Sequence, residues 1–205
     1  YTSDNGPWNQ PKYTDRKKGH PEGAIFWGEA GPLRNGKGSC YEAGYRVPCI
    51  VRWPDKVPAG RVSDAIFATI DFMPTFARMT GTTEPQDRVI DGKDISPLIF
   101  GDEGATSPHE SFWYYRLDNL EAVRRGKWKL VAEKNAAWEL HDLDEDRSEL
   151  NDIAAENPRI VEELKGLYFA WAKRCNVLEF DELRAIRQPK FRAKREAERA
   201  AKHAG

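Results

Sequence analysis

Two short runs have residue types that could do chemistry: Asp4-Asn5-Gly6 and Gly36-Lys37-Gly38-Ser39. The first sets a carboxylate and an amide oxygen side by side at the end of an extended segment, before a glycine that lets the backbone turn sharply. Hard cations such as Ca²⁺ take several oxygen ligands at about 2.3–2.6 Å, and α/β folds hold ligands beyond the carboxyl ends of strands. Asn-Gly is equally an ordinary turn dipeptide. The second run puts a lysine between two glycines, where the backbone can approach an anion closely. Gly31 completes G-x-x-x-x-G-K, but Gly38 stands where a phosphate loop needs Ser or Thr, and no strand leads in. A flexible turn is the plainer reading. Glu42 and Arg46, four apart, could form a buried pair that fixes this loop. Asp91 and Asp94, flanking Lys93, read as structural. His20, His109, His141 and His203 share no ligand spacing and read as surface or hydrogen-bonded structural residues. No G-x-S-x-G, H-E-x-x-H or G-x-G-x-x-G occurs.

The elements that must position these runs follow from composition and period. The chain has 205 residues, 40% apolar and 11% aromatic, enough for a sizeable core. Its 32 basic and 33 acidic residues leave a net charge of −1, which excludes a chain that holds nucleic acid by bulk charge. No apolar run reaches the roughly 18 residues of a membrane span. Cys40, Cys49 and Cys175 cannot all pair and form no C-x-x-C, so neither a disulfide framework nor a zinc ribbon is implied. Residues 6–45 hold half the glycines, and a long loop rich in Trp8, Tyr13, Phe26, Trp27 and Tyr41 is expected there. Residues 46–53 read as a largely buried strand bounded by Pro54. Asp71 is a candidate N-cap for a helix with Pro74 in its first turn, a face of Phe72, Phe76 and Met79, and a stop at Gly81. Four short runs rich in Trp, Tyr, Val and Leu, 111–116, 120–125, 127–133 and 137–143, predict antiparallel hairpins. Asn157 should cap a helix with Pro158 at its first position. The stripe Ile160, Val161, Leu164, Leu167, Tyr168 and Trp171 should pack on the small sheet. Residues 181–205 read as a solvated, partly helical charged tail.

Six blocks in order resemble the C-terminal part of a type I sulfatase, arylsulfatase-like and of the alkaline phosphatase superfamily. Thr2-Ser3-Asp4-Asn5-Gly6-Pro7 resembles T-S-D-N-G-P. Gly31-Pro32-Leu33-Arg34-Asn35-Gly36-Lys37-Gly38 resembles G-P-L-R-x-G-K-G, and Glu42 to Pro48 resembles E-G-G-x-R-V-P. Asp71 to Thr75, after Trp53-Pro54, matches D-x-x-P-T, and Ile90 to Leu98 matches the next block. Val123 to Leu130, with Trp138 to Leu143, resembles the family's C-terminal sheet. Ala43 replaces a glycine, Asp55 replaces the usual Gly after Trp-Pro, and the stretch 12–21 is unfamiliar.

The resemblance implies an α/β fold: the C-terminal part of an alkaline-phosphatase-like mixed sheet sandwiched by helices (1–108), a small four-stranded antiparallel sheet with a C-terminal helix (109–175), and a charged tail (176–205). It implies a sulfuric ester hydrolase with one Ca²⁺ and a formylglycine nucleophile made from Cys or Ser in C/S-x-P-x-R. Asp4 and Asn5 would be two Ca²⁺ ligands, and Lys37 would contact the sulfate. C/S-x-P-x-R is absent here, so the nucleophile is expected upstream. The chain alone is expected to fold poorly and to turn over no sulfate ester. The substrate would be a small-molecule or polysaccharide sulfate ester, and the compartment periplasmic or secreted. Two other readings follow from the same residues: a phosphomonoester or phosphonate hydrolase of the same superfamily, or an inactive paralogue binding sulfated glycan, with Trp8, Trp27 and Trp113 stacking on sugars.

Overall fold

From residue 112 on, aromatic, leucine and valine side chains are concentrated in four short strands. A computed structural model describes residues 1–8, 28–133 and 136–189. The readings of Tyr13, Phe26, Trp27, His20, His203, the stretch 12–21 and the tail beyond 189 lie outside the described residues. In chain order the elements are α1 (Glu42–Tyr45), a 3₁₀ turn (Thr69–Asp71), α2 (Phe72–Met79), α3 (Ser96–Phe100), β1 (Phe112–Arg116), β2 (Asn119–Arg125), β3 (Trp128–Val131), β4 (Glu139–Asp142) and α4 (Pro158–Arg174). Residues 180–189 form a further helix, α5. Two compact units result: Tyr1–Gly6 with Arg46–Phe112, and Pro7–Tyr45 with Trp113–Gly205. The second is discontinuous in sequence, grouping the glycine-rich loop with the C-terminal sheet.

That sheet has the strand order β1-β2-β3-β4, a meander of the kind short loops favour. β2 pairs antiparallel with β3 from Ala122 opposite Val131 to Arg125 opposite Trp128. β3 pairs antiparallel with β4 from Trp128 opposite Asp142 to Val131 opposite Glu139. Because side chains alternate, Val123, Leu130 and Leu140 share one face, where α4 lays Val161 and Leu164 on them. Trp171 stacks on Trp113 with ring centroids 3.9 Å apart, and its indole N–H donates to the Tyr115 hydroxyl at 2.8 Å. The expected helical stripe is thus the one that covers the sheet, and Trp113 packs, partly buried, against that core. Pro158 opens α4 and Asn157 sits at the N-cap position, but the Asn157 side chain donates back to the Ile153 carbonyl at 3.0 Å and caps nothing.

In the first unit, 46–53 is not the buried strand that its composition suggests. Thr2 and Cys49 form an isolated antiparallel bridge, and Tyr1 and Ile50 exchange backbone hydrogen bonds at 2.8 Å. Beyond it Ile50 is 63% exposed and Trp53 43%: a strand is buried only between neighbours, and among the described residues its pairing stops at this bridge. Asp55, in the position where the family pattern has Gly, takes a left-handed φ of 65° in the following turn. Asp71 is fully buried and precedes α2 as expected, yet its carboxylate does not cap the helix. It accepts instead from the amides of Ala68 and Lys93 and contacts His109 Nε2, all at 2.8 Å. Phe72 stacks on Phe76, and α2 stops before Gly81. Asp94, before the start of α3, accepts from the Ser96 amide at 2.8 Å, a structural contact, and the Lys93 ammonium donates to the Pro108 carbonyl. Among the described residues no helix is long and apolar enough to cross a membrane.

Leu164, fully buried at the centre of the α4–sheet contact, gives a direct test. Leu164→Ala should lower the unfolding free energy of the second unit by about 2–5 kcal/mol in urea denaturation.

Candidate functional site

The loop before α1 is a series of tight turns whose tip faces solvent and whose base is buried. Lys37 and Gly38 are exposed, while Gly36 and residues 39–44 are buried. The Lys37 amide donates to the Pro7 carbonyl at 2.8 Å, the Ser39 amide to Gly36 at 3.2 Å, and the Ala43 amide to Arg34 at 3.2 Å. The Ser39 hydroxyl accepts from the Tyr41 amide at 3.1 Å. Gly44 backs onto this turn: a Cβ there would lie 2.1 Å from the Ser39 carbonyl oxygen and 2.9 Å from that of Gly36. The glycine at 44 is therefore required by close approach, whereas Ala43 fits its buried place.

Beneath the loop lies a group of buried charges. Lys129, at the middle of β3, is fully buried, with its ammonium 2.9 Å from Glu42 and 2.9 Å from Glu149. It stands 4.4 Å from the centre of the Tyr114 ring, a cation–π distance. Glu149 also accepts from the Glu42 amide at 2.5 Å, and Arg124 lies 3.8 Å from Glu42. Burial alone would favour a neutral amine, but Tyr114, Glu42 and Glu149 outweigh it and push Lys129 above its usual value, so the ammonium stays charged. The expected partners Glu42 and Arg46 pair elsewhere: Glu42 is the buried partner of Lys129, and Arg46 reaches Asp64 at 3.6 Å.

A second set of contacts closes the loop's other end. Arg34 donates to Glu139 at 2.7 Å and to the Glu149 carbonyl at 2.8 Å, with its guanidinium 3.7 Å over the Tyr41 ring. The Tyr41 hydroxyl donates to the same Glu139 oxygen at 2.9 Å, and His141 approaches it at 3.3 Å while its other nitrogen meets the Asn151 carbonyl. The Cys40 amide donates to Glu133 at 2.7 Å. Burial raises Glu139, but hydrogen bonds from Arg34, Tyr41 and His141 prevail and hold it below the ordinary glutamate range. His109 and His141 are structural partners of carboxylates, as their spacing suggested.

Asp4 and Asn5 belong to the first unit and Lys37 to the second, and each is described within its own. Asp4 is exposed at a bend, Asn5 is half-buried, and the Ser3 hydroxyl donates to the Asn5 carbonyl at 3.0 Å. A carboxylate and an amide oxygen are donors suited to Ca²⁺, and they would supply two of the six to eight oxygens that ion takes. Among the described residues, Cys40, Glu121 and Glu133 have ligand atoms within 4.8 Å of one another. That cluster is a different environment: burial, followed by Glu121 and Glu133, pushes the Cys40 thiol up, Arg116 lies 3.3 Å from Glu121, and a protonated thiol is a poor partner for a hard cation. Sequence reasoning missed Lys129, Glu149, Arg34 and Glu139. The local signal available was a lysine between Trp128 and Leu130 in a strand otherwise rich in apolar residues.

Residues 35–168 match the family model described as N-sulphoglucosamine sulphohydrolase, C-terminal. An arylsulfatase of Hemicentrotus pulcherrimus is 41% identical over 129 residues, covering 63% of this chain and 21% of that protein. An N-acetylgalactosamine-6-O-sulfatase of Bacteroides thetaiotaomicron is 32% identical over 186 residues, covering 82% of this chain and 34% of its own. A solved structure from work on glycosaminoglycan metabolism by Bacteroides thetaiotaomicron superposes with a TM-score of 0.66 at 32% identity, covering 84% of this chain and 38% of that one. The chain thus spans at most about two fifths of the proteins to which it is similar.

Two outcomes test the site's construction. Gly44→Ala should disorder the 36–39 turn and lower the melting temperature, whereas Ala43→Gly should shift it far less; thermal denaturation of both variants checks this. Because Glu139 is held low, its stabilising contribution is present above the ordinary glutamate value of about 4.3 and is lost as pH falls through its own lower value. The difference in unfolding free energy between wild type and Arg34→Met should therefore shrink as the pH is taken from about 6 to 3.

Proposed function

The chain belongs to the sulfatase family whose C-terminal region it matches, and from that footing we propose that it is the C-terminal part of a Ca²⁺-dependent sulfuric ester hydrolase. The observation that carries this reading is the loop tip: Lys37, exposed on a turn whose base is held by buried charges. A lysine fixed in this way offers positive charge where negative charge develops on a transferring sulfuryl group, without reorganising as the reaction proceeds. Asp4 and Asn5 would hold the metal, and when bound it would supply Lewis-acid polarisation of the sulfate. The formylglycine nucleophile would come from a segment outside these residues. A relative named N-acetylgalactosamine-6-O-sulfatase supports a sulfated sugar as the class of substrate.

The test uses the complete protein. Turnover of p-nitrophenyl sulfate or a sulfated monosaccharide should fall about 10²-fold or more in kcat/KM on Lys37→Ala. Asp4→Ala should raise the Ca²⁺ concentration needed for half-activity. Turnover of p-nitrophenyl phosphate with none of the sulfate would replace this reading by that of a phosphomonoester hydrolase. Sugar binding without any turnover would replace it by that of a glycan-binding paralogue.

A further inference from the structure

We infer that Lys129 and Glu149 are positioning residues for Lys37: the buried charge group transmits the rigid register of the C-terminal sheet to the loop that carries the exposed lysine. This rests on the reading of Lys37 as the sulfate contact.

Three observations carry it. First, besides the bonds that shape its turns, the loop is tied to the sheet and the segment after it: Arg34 to Glu139 and Glu149, Cys40 to Glu133, Tyr41 to Glu139, Glu42 to Lys129 and Glu149. The place of the loop is thus a property of residues roughly a hundred positions away. Lys129 is itself fixed by ladders on both sides, facing Arg124 of β2 and His141 of β4. Second, Glu149 is a fully buried non-glycine residue with φ of 52°. Its carbonyl accepts from Arg34, and its carboxylate takes the Glu42 amide and the Lys129 ammonium. A buried residue held in a left-handed conformation by Arg34, Glu42 and Lys129 marks a place where surrounding structure over-determines the backbone. Third, the link from Glu42 to Lys37 is short and stiff. The ion pair anchors the first residue of α1, and Gly44, two residues on, rests directly against the carbonyls of Gly36 and Ser39 on either side of Lys37 and Gly38. A shift of α1 must therefore move the turn. Displacement of a reacting group by about 1 Å costs on the order of 10²-fold in rate.

A merely stabilising ion pair would lower the melting temperature and leave the folded molecule's chemistry alone, so the experiment reads the chemistry. In the complete protein, kcat and KM for a sulfate ester are measured for Lys37→Ala, Glu149→Gln, Lys129→Met and the combination of Lys37→Ala with Glu149→Gln, well below each variant's melting temperature. Amide hydrogen exchange is followed across 35–45 and across β2 and β3. Glu149→Gln keeps the shape and the bond from the Glu42 amide, and so serves if Lys129→Met fails to fold. The expected result for Glu149→Gln is a fall in kcat of roughly tenfold or more, exchange accelerated in 35–45 and unchanged in β2 and β3, and no further loss when Lys37 is already alanine. Losses that multiply in the double variant, or exchange that rises equally in loop and sheet or in neither, overturn the positioning role. If Lys37→Ala leaves turnover unchanged, the reading of Lys37 as sulfate contact fails, and selective exchange in 35–45 alone then decides whether the charge group positions the loop.

Discussion

A lysine ammonium with no access to water, held between two carboxylates, is the constraint on which the second unit depends. Removing an ion from water is costly, and the attraction between buried charges offsets that cost only when geometry is good and the remaining polar atoms are satisfied. Around Lys129 the attraction comes from groups in distant parts of the chain: Glu42 from the loop, Glu149 from the turn after β4, and the face of Tyr114 from β1. Satisfaction is incomplete at Glu149: burial pushes its carboxyl up, and one of its oxygens has the ion pair but, among the described residues, no hydrogen bond. Movement of any one of them weakens the compensation of a buried charge. An apolar group at the same position could fill the space, but it would not select one placement of Glu42. The ion pair thus acts chiefly as a specification of geometry, with the apolar contact of α4 on the sheet's other face supplying cohesion.

The sheet and α4 could be read from the sequence because their determinants are local. Runs rich in Trp, Tyr, Val and Leu within 111–143 gave four strands within two residues of their observed ends, and the 3.6-residue stripe from Ile160 to Trp171 named the face that packs. The candidate site was legible only in part. Lys37 could be singled out from its flanking glycines, but the residues that hold it could not, since Glu42 meets Lys129 across 87 positions and Glu149 across 107. Pattern within a window carries no information about such pairs.

The misreadings share a cause. Asp71 and Asn157 stand where cap residues belong, yet other groups claim their side chains: His109 and the amides of Ala68 and Lys93 for the first, the Ile153 carbonyl one turn back for the second. Residues 46–53 have the composition of a buried strand, but burial is conferred by neighbours, and Thr2 is the one bridged to it among the described residues. Residue type sets what a position can do, and the rest of the fold chooses among those options.

The long separation between Glu42 and its partners also governs the order in which the molecule can be assembled. During synthesis Glu42 emerges 107 residues ahead of Glu149, which at about 5–20 residues per second is an interval of roughly 5–20 s. For most of it the loop lacks its distant partners, since Lys129, Glu133 and Glu139 follow only late in the interval and Glu149 last, and closing so wide a span is entropically slow. The turn bearing Lys37 is therefore among the last parts of this chain to take its final form, completed only after β4 and the turn beyond it are in place.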